Sequence, residues 1–394
     1  MSRNTKDKTE NWIQVFDSDA MYMIFTHKKC LPHTSISSFD LDDTLVTTSS
    51  GKKFSTSSTD WKFLNGYVVP KLQVFSETSK IVIFTNQKGL THNGALDDAK
   101  CKEFQNRVES ISKALEEVGV FIQVFAALEE NIYRKPLPAM FDELLVGHNG
   151  GLKIDKSTSF YVGDAAGRME RKVKGKKVKK DFSCSDRNFA SNLKIKFYTP
   201  EEFFLKEAPV SYENDAIDVT KFGRRDTKKT EDILNVNKTH EMVIFVGSPA
   251  SGKSSFYEKY FKPNGYQWVN QDTLGSKSAC LSAARKSIIN NSVVIDNTNP
   301  SIEIREEYIT IANKAGYQVR CVFFDYDKKI SFHLNKFRAM VSTKKIPDIA
   351  IHSYFKKLEL PTIAEGFKEV VKIPFEIDDC FKSAEERELF EMLF

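Results

Sequence analysis

Phe39-Asp40-Leu41-Asp42-Asp43-Thr44-Leu45 is the stretch whose reading decides the fold. An apolar approach ends in two acids spaced i and i+2, then a hydroxyl residue and another apolar one. If the approach is a strand that stops near Asp40, the turn after it brings both carboxylates into one small volume. Two carboxylates with Mg²⁺, a hard cation that takes oxygen ligands, form a site suited to removing phosphate. A second phosphate-handling stretch, Gly247-Ser248-Pro249-Ala250-Ser251-Gly252-Lys253-Ser254, lies far downstream. One chain therefore carries two separate phosphate sites.

A length of 394 residues predicts two or three domains, each able to bury its own core. Hydrophobic residues at 41% and charged residues at 28% fit a globular protein, not a disordered or fibrous one. Cys30, Cys101, Cys184, Cys280, Cys321 and Cys380 show no metal-ligand spacing, which predicts reduced thiols rather than a disulfide framework. The N-terminus lacks a secretory apolar region and no apolar run reaches membrane-spanning length. The expectation is a soluble intracellular protein. The net charge of +5 is mild, but residues 171–180 (RKVKGKKVKK) hold seven bases and no acid. That run reads as a solvated loop, a nucleic-acid-facing strip or a nuclear import signal.

Working outward from Asp40, residues 46–59 are rich in Ser, Thr and Gly and read as a loop or flap over the acids. Residues 80–87 (KIVIFTNQ) form a continuous apolar run ending in Thr85-Asn86. Such a run suits a strand buried on both faces of a parallel sheet. Ligands in such sheets bind just past the C-terminal ends of the strands. Phe104, Val108, Ile111, Leu115 and Val118 step by 4, 3, 4 and 3, which predicts an amphipathic helix. Residues 120–127 make the next strand, Lys135 follows a short break, and the strand at 159–163 delivers Asp164. Each feature is weak alone; four at strand ends in this order point to a site.

The order Asp40/Asp42, Thr85, Lys135, Asp164 resembles the haloacid dehalogenase superfamily of phosphatases. The finer words FDLDDTLVTTSSGKKF, IVIFTNQKGL, YRKPLPAMFDELL, FYVGDAAGR and DFSCSDRNFA resemble the polynucleotide kinase 3′-phosphatase family of DNA end-repair enzymes. The resemblance implies that Asp40 is the nucleophile and Asp42 the acid and base. Asp40, Asp164 and the backbone carbonyl of Asp42 would hold Mg²⁺, and Thr85 and Lys135 would bind phosphoryl oxygens. Asp186 reads either as a member of the acidic cluster or as a helix N-cap. One departure stands inside the opening stretch: the family pattern DxDGT has glycine where this chain has Asp43.

Downstream, MVIFV runs into a sequence that fits GxxxxGK[ST] at every position, after one expected strand and opening an expected helix. Gly247, Gly252, Lys253, Ser254 and Ser255 would cradle the phosphates of ATP, with Lys253 on the β/γ-phosphates and Ser254 on Mg²⁺. Asp272 and Asp296 each follow a short apolar strand, and residues 333–340 (HLNKFRAM) resemble a lid. The same family resemblance extends through NQDTLGS and VVIDNTNPSIEIREEYI. It implies that Asp272 activates a polynucleotide 5′-hydroxyl and that Arg338 stabilises the transferring phosphate. Gln271 and Lys336 stand where the family usually has Arg, and neither reproduces its bidentate fork. That departure implies a weaker kinase or a changed substrate preference.

The expected architecture is α/β: a Rossmann-like haloacid dehalogenase-type phosphatase domain followed by a P-loop kinase α/β domain. The expected bounds are a lead-in over 1–36, the phosphatase over 37–206, a linker over 207–239 and the kinase over 240–394; the apolar clusters at 12–16 and 21–25 read as strands or a lead-in packed on the first domain. The leading functional reading is a nuclear, bifunctional DNA end-healing enzyme using Mg²⁺ and ATP, its partners DNA ends and a DNA ligase or repair scaffold. No membrane is expected. Animal relatives carry a forkhead-associated domain ahead of the phosphatase. Since 38 residues precede Phe39, forkhead-associated-type phosphopeptide docking is not expected. RNA end repair, a small-molecule phosphatase/kinase fusion and a non-catalytic DNA-end scaffold are the alternatives.

Overall fold

The computed structural model describes all residues except 1–4, 9–11, 18–20, 93–94, 174–175, 237–239, 343–344 and 379–380. The chain divides into two compact units, Met1–Ala216 with Met392–Phe394, and Ile217–Glu391. No helix among the described residues is long and apolar enough to cross a membrane.

The first unit is built on an eight-stranded sheet. Its strands, named by first residue, lie in the order Thr5, Trp12, Tyr22, Ile122, Lys80, Ile36, Phe160, Lys196. The five from Ile122 onward are parallel. In chain order they run 3-2-1-4-5, so the direction of winding reverses between Ile36–Phe39 and Phe160–Val162. A crevice opens at such a reversal, outside the carboxyl ends of the strands. Strand Lys80–Asn86 has the two-sided burial that its unbroken hydrophobicity predicts. Ile81 and Ile83 enter one apolar cluster with Phe104, Val108, Ile111 and Leu115 of helix Asp98–Glu116. Val82 and Phe84 enter the opposite cluster with Phe141 and Phe189. That helix starts where the Asp97 side chain accepts from Lys100 N at 3.1 Å.

The segment at 1–36, read as strands or a lead-in packed on the first domain, contributes three antiparallel strands, Thr5–Lys8, Trp12–Asp17 and Tyr22–His27, the last pairing directly with Ile122–Ala127. Met23 and Phe25 fill one core face and Tyr22 and Ile24 the other, so the segment is part of the sheet. The basic run is no plain loop: Arg171–Val173 and Lys176–Val178 pair as an antiparallel hairpin.

The second unit carries five parallel strands in the order Gln267, Val293, Glu241, Gln318, Glu369. Met242, Ile244 and Val246 face one cluster, and Val243 and Phe245 the other. Buried Arg320 reaches both carboxylate oxygens of buried Glu241 at 2.7 Å. The boundary between units falls at 216/217, inside the segment expected as a linker. Residues 217 onward belong to the second unit because helix Thr227–Leu234, N-capped by Asp226, drives Leu234 into the cluster around Phe245. Its shortness hid it, since eight residues offer only two turns of periodicity.

Leu234→Ala should lower the urea-unfolding stability of the second unit by about 2–5 kcal/mol, the cost of a buried Leu→Ala cavity. A change below about 0.5 kcal/mol, the size expected of a surface linker substitution, would remove this helix from the core.

Candidate active sites

Strand Ile36–Phe39 stops where Asp40 N bonds Val162 O at 2.8 Å and the chain turns through Leu45 N to Leu41 O at 3.0 Å. Asp43 takes the turn at φ 54, a left-handed conformation that glycine adopts without cost and that Asp tolerates better than most residues. Thr47 Oγ1 donates to its Oδ1 at 3.0 Å.

Lys135 Nζ is the hub of the site. It donates to Asp40 Oδ1 at 2.6 Å, Asp186 Oδ1 at 2.7 Å and the Tyr161 hydroxyl at 2.7 Å, with the lysine 3% exposed. Asn86, at the end of its strand, fixes the lysine backbone reciprocally: Lys135 N donates to Asn86 Oδ1 at 2.9 Å and Asn86 Nδ2 to Lys135 O at 3.1 Å. Asp186 is not an N-cap. It sits in the first turn of Ser185–Leu193, whose cap is Cys184, and its Oδ2 accepts from Ala165 N at 2.9 Å. Gly163 makes room for it, because a Cβ there would lie 2.4 Å from Asp186 Cγ.

Carboxylate oxygens of Asp40, Asp164 and Asp186 all lie within 4.8 Å of one another. Burial raises Asp40 to about 7; Lys135 opposes this, and Asp186 and Asp42 add to it. Burial raises Asp164 to about 9, with Asp186, Asp40 and Asp43 adding and Lys135 opposing. For Lys135 burial pushes downward, but Asp186 and Asp40 outweigh it and the net shift is upward. One ammonium thus faces three acids, a set of hard oxygen donors that a divalent cation would complete.

Asp42 lies outside this group. Arg107 Nη2, from helix Asp98–Glu116, donates to its Oδ1 at 2.5 Å and Gln87 Nε2 to its Oδ2 at 2.8 Å. Gln87 Nε2 also donates to Thr85 Oγ1 at 3.0 Å, so Thr85 and Asp42 share one positioning group. Asp40, Thr85, Lys135 and Asp164 therefore gather around one crevice, with Asp42 held beside it through Gln87. Its side chain is not among the three acids grouped for a cation.

In the second unit, strand Glu241–Val246 runs into the glycine loop. Gly247 is packed so closely that a Cβ would meet Ser251 Oγ at 2.9 Å and Phe324 Cβ at 3.0 Å, and Gly252 has φ 82. Lys253 Nζ donates to Gly247 O at 3.1 Å and Ser248 O at 2.7 Å. Burial lowers Lys253 to about 8; Asp296 and Asp272 oppose this, and Arg338 adds to it. Ser254 Oγ donates to Asp296 Oδ2 at 2.7 Å, and the same oxygen accepts from Trp268 Nε1 at 3.0 Å and Asn270 Nδ2 at 3.1 Å. Ser255 is exposed on the following turn. Asp272 is exposed in the short helix Gln271–Leu274, which Asn270 caps. Arg338 is half-buried on helix Lys328–Ser342. Not all of the lid stretch faces outward: His333 is buried with Nε2 2.9 Å from Phe390 O, and burial lowers it to about 4.

Sequence reasoning missed Arg107, Gln87, Tyr161 and Asn86, and with them Trp268 and Asn270. A buried Arg at a core position of an amphipathic helix was the one available signal for Arg107. The others act through contacts that no local spacing encodes.

The fold and the two sites define a haloacid dehalogenase-like phosphatase domain followed by a P-loop kinase domain. The chain is 34% identical over 377 residues to the bifunctional polynucleotide phosphatase/kinase of Schizosaccharomyces pombe, spanning 95% of this chain and 87% of that one. It belongs to the bifunctional polynucleotide phosphatase/kinase family. Residues 35–204 match the family described as polynucleotide kinase 3 phosphatase. A putative bifunctional polynucleotide phosphatase/kinase of Acanthamoeba polyphaga mimivirus is 32% identical over 398 residues, 95% of this chain and 92% of that one. The polynucleotide 3′-phosphatase of Saccharomyces cerevisiae is 28% identical and aligns with 43% of this chain and 87% of its own length.

Lys135→Met, which removes the one cation inside the acid cluster, should destabilise the first unit by about 3–5 kcal/mol in urea unfolding without divalent ions. A loss under about 1 kcal/mol would mean that the acids carry little charge in the folded protein.

Proposed function

We propose that this chain heals broken DNA ends, removing a 3′-phosphate at the first site and adding a 5′-phosphate from ATP at the second. The observation that carries this reading is the buried Lys135 among Asp40, Asp186 and Tyr161, beside Asp164, in a chain that also holds a complete glycine loop. The names of the full-length relatives support the same pairing of activities.

In the first step an Asp40 carboxylate oxygen forms a bond to phosphorus while the bond to the sugar O3′ breaks. Asp42, aimed by Arg107 and Gln87, gives its proton to the departing oxygen. Asp42 then takes a proton from water as the water oxygen bonds phosphorus and the Asp40–phosphorus bond breaks. Thr85 and Lys135 hold the phosphoryl oxygens, Lys135 offsetting the charge that builds on them. Bound at Asp40, Asp164 and Asp186, Mg²⁺ would supply Lewis-acid polarisation of the phosphate. In the kinase, Asp272 takes the proton of the 5′-hydroxyl, Lys253 and the loop amides bind the ATP phosphates, and Arg338 neutralises the transferring group.

Asp40→Asn should lower 3′-phosphate release from an oligonucleotide about 10⁴-fold and leave 5′-phosphorylation unchanged. Lys253→Ala should do the converse, lowering 5′-phosphorylation about 10²- to 10³-fold. Loss of both activities in either variant would refute two independent sites. A free 3′-nucleotide preferred over 3′-phosphorylated DNA would refute the polynucleotide reading.

The acid cluster also gives a pH test. Asp40 and Asp164 sit above their unfolded values, so the cation-free fold loses stability as pH rises from about 4 through 7 to 9. Mg²⁺ at a fixed concentration about 100 times its Kd at pH 8 should restore about 2.7 kcal/mol there, and less at pH 5, where protons compete for the acids and raise the Kd. Asp164→Asn should abolish that gain in thermal unfolding; an equal gain in the variant would place the cation elsewhere.

A further inference from the structure

Resting on the reading of the first site as a polynucleotide 3′-phosphatase, we infer that hairpin Arg171–Val173/Lys176–Val178 grips backbone phosphates of the strand that carries the 3′-phosphate. Three observations carry the assignment. The first is placement. The hairpin lies in the chain between Asp164 and Asp186, two of the three clustered acids, and its neck is tied to that cluster. Asp181 N donates to Arg168 O at 2.9 Å, and Asp181 Oδ2 accepts from Arg168 Nε at 2.8 Å, Arg168 N at 3.0 Å and Ala166 N at 3.2 Å. Arg168 is 6% exposed, and its Nη2 donates to the carbonyl of Asp164 at 3.0 Å. The base of the hairpin and the cation-site acid are one rigid assembly.

The second observation is charge. Lys172, Lys177, Lys179 and Lys180 are exposed, and Arg171 is half-buried beside Glu201. Among the described residues, the acid paired with the strands' lysines is Glu170, 2.9 Å from Lys177 Nζ, an exposed pair of little worth. The third is register. Lys172 stands directly opposite Lys177, and like charges at such a position oppose pairing. A hairpin that keeps this arrangement is relieved by an external anion. Two strands of three residues span about 10 Å. The terminal phosphate is assigned to Thr85 and Lys135, which leaves the hairpin's lysines the phosphates next to it. A nuclear import signal would use the same residue types but has no need of a clamped neck joined to the acid cluster.

The test compares Lys172→Ala/Lys177→Ala/Lys179→Ala/Lys180→Ala with wild type on two substrates, a 3′-phosphorylated single strand of about 20 nucleotides and thymidine 3′-monophosphate. The variant should raise the KM of the long substrate about 10-fold or more at about 0.15 M salt with kcat unchanged. The slope of log(kcat/KM) against log[salt] should fall by about 3, at roughly 0.7 for each backbone phosphate that a lysine no longer neutralises. Turnover of the mononucleotide, which offers no neighbouring phosphate, should match wild type. The double variant Lys179→Gln/Lys180→Gln leaves both strands intact and should give about half the change in slope.

Unchanged kinetics on the long substrate overturn the proposal, and do so equally if the variant instead fails to accumulate in nuclei. Equal losses on both substrates also overturn it, since the lysines would then act on the chemistry. Wild type that hydrolyses neither substrate would bring down the phosphatase reading itself.

Discussion

The first site depends on one ammonium group. Lys135 Nζ touches Asp40, Asp186 and Tyr161, and without it three carboxylates would share a crevice with no internal counter-charge. Apolar clusters cover both faces of the sheet, so charge buried at its strand ends is poorly screened. The raised positions of Asp40 and Asp164 express that demand. The fold meets it by geometry: adjacent parallel strands bring Asp40 and Asp164 to the winding reversal, and Gly163 leaves space for Asp186.

Much of this was legible in the amino-acid sequence. Continuous apolar runs marked the buried strands, and the polar residues after them, Asp40, Thr85 and Asp164, lie together because parallel strands share one carboxyl end. The glycine loop was legible for the same reason: Gly247 and Gly252 are required by close packing and a positive φ, which sequence records directly. What escaped were contacts between distant segments. Nothing in the spacing of Arg107 and Asp42 announces their pairing across 65 residues of chain. The N-terminal apolar clusters were legible as strands or a packed lead-in, but not their place in the sheet, because the partner strand, Ile122–Ala127, is distant in the chain.

The departures from the family pattern acquire physical content in the same way. Asp43 occupies the turn position where glycine is usual, and the reason for glycine is its φ of 54. Asp fits because Asp and Asn tolerate that region and Thr47 satisfies its carboxylate. The substitution adds a negative charge that pushes Asp164 further upward. It therefore strengthens the site's preference for a cation over an empty acid cluster. Gln271 has its backbone N–H bonded to the Asn297 side chain at 2.8 Å, which holds the helix carrying Asp272 independently of the Gln271 side chain. Loss of the usual Arg there leaves the placement of Asp272 intact and removes a charge.

The two units use a buried lysine to opposite ends. Lys135 is driven upward because its partners are carboxylates, so its charge is satisfied within the protein and the surrounding acids remain in excess. Lys253 is driven down to about 8 because its near partners are the neutral carbonyls of Gly247 and Ser248, which do not offset burial. Its ammonium lacks a direct anionic partner among those contacts, and triphosphate oxygens would supply one. One site is short of positive charge and the other short of negative charge. In the proposed function a metal cation would complete the first and a nucleotide anion the second, so that the same side chain would serve hydrolysis in one unit and transfer in the other.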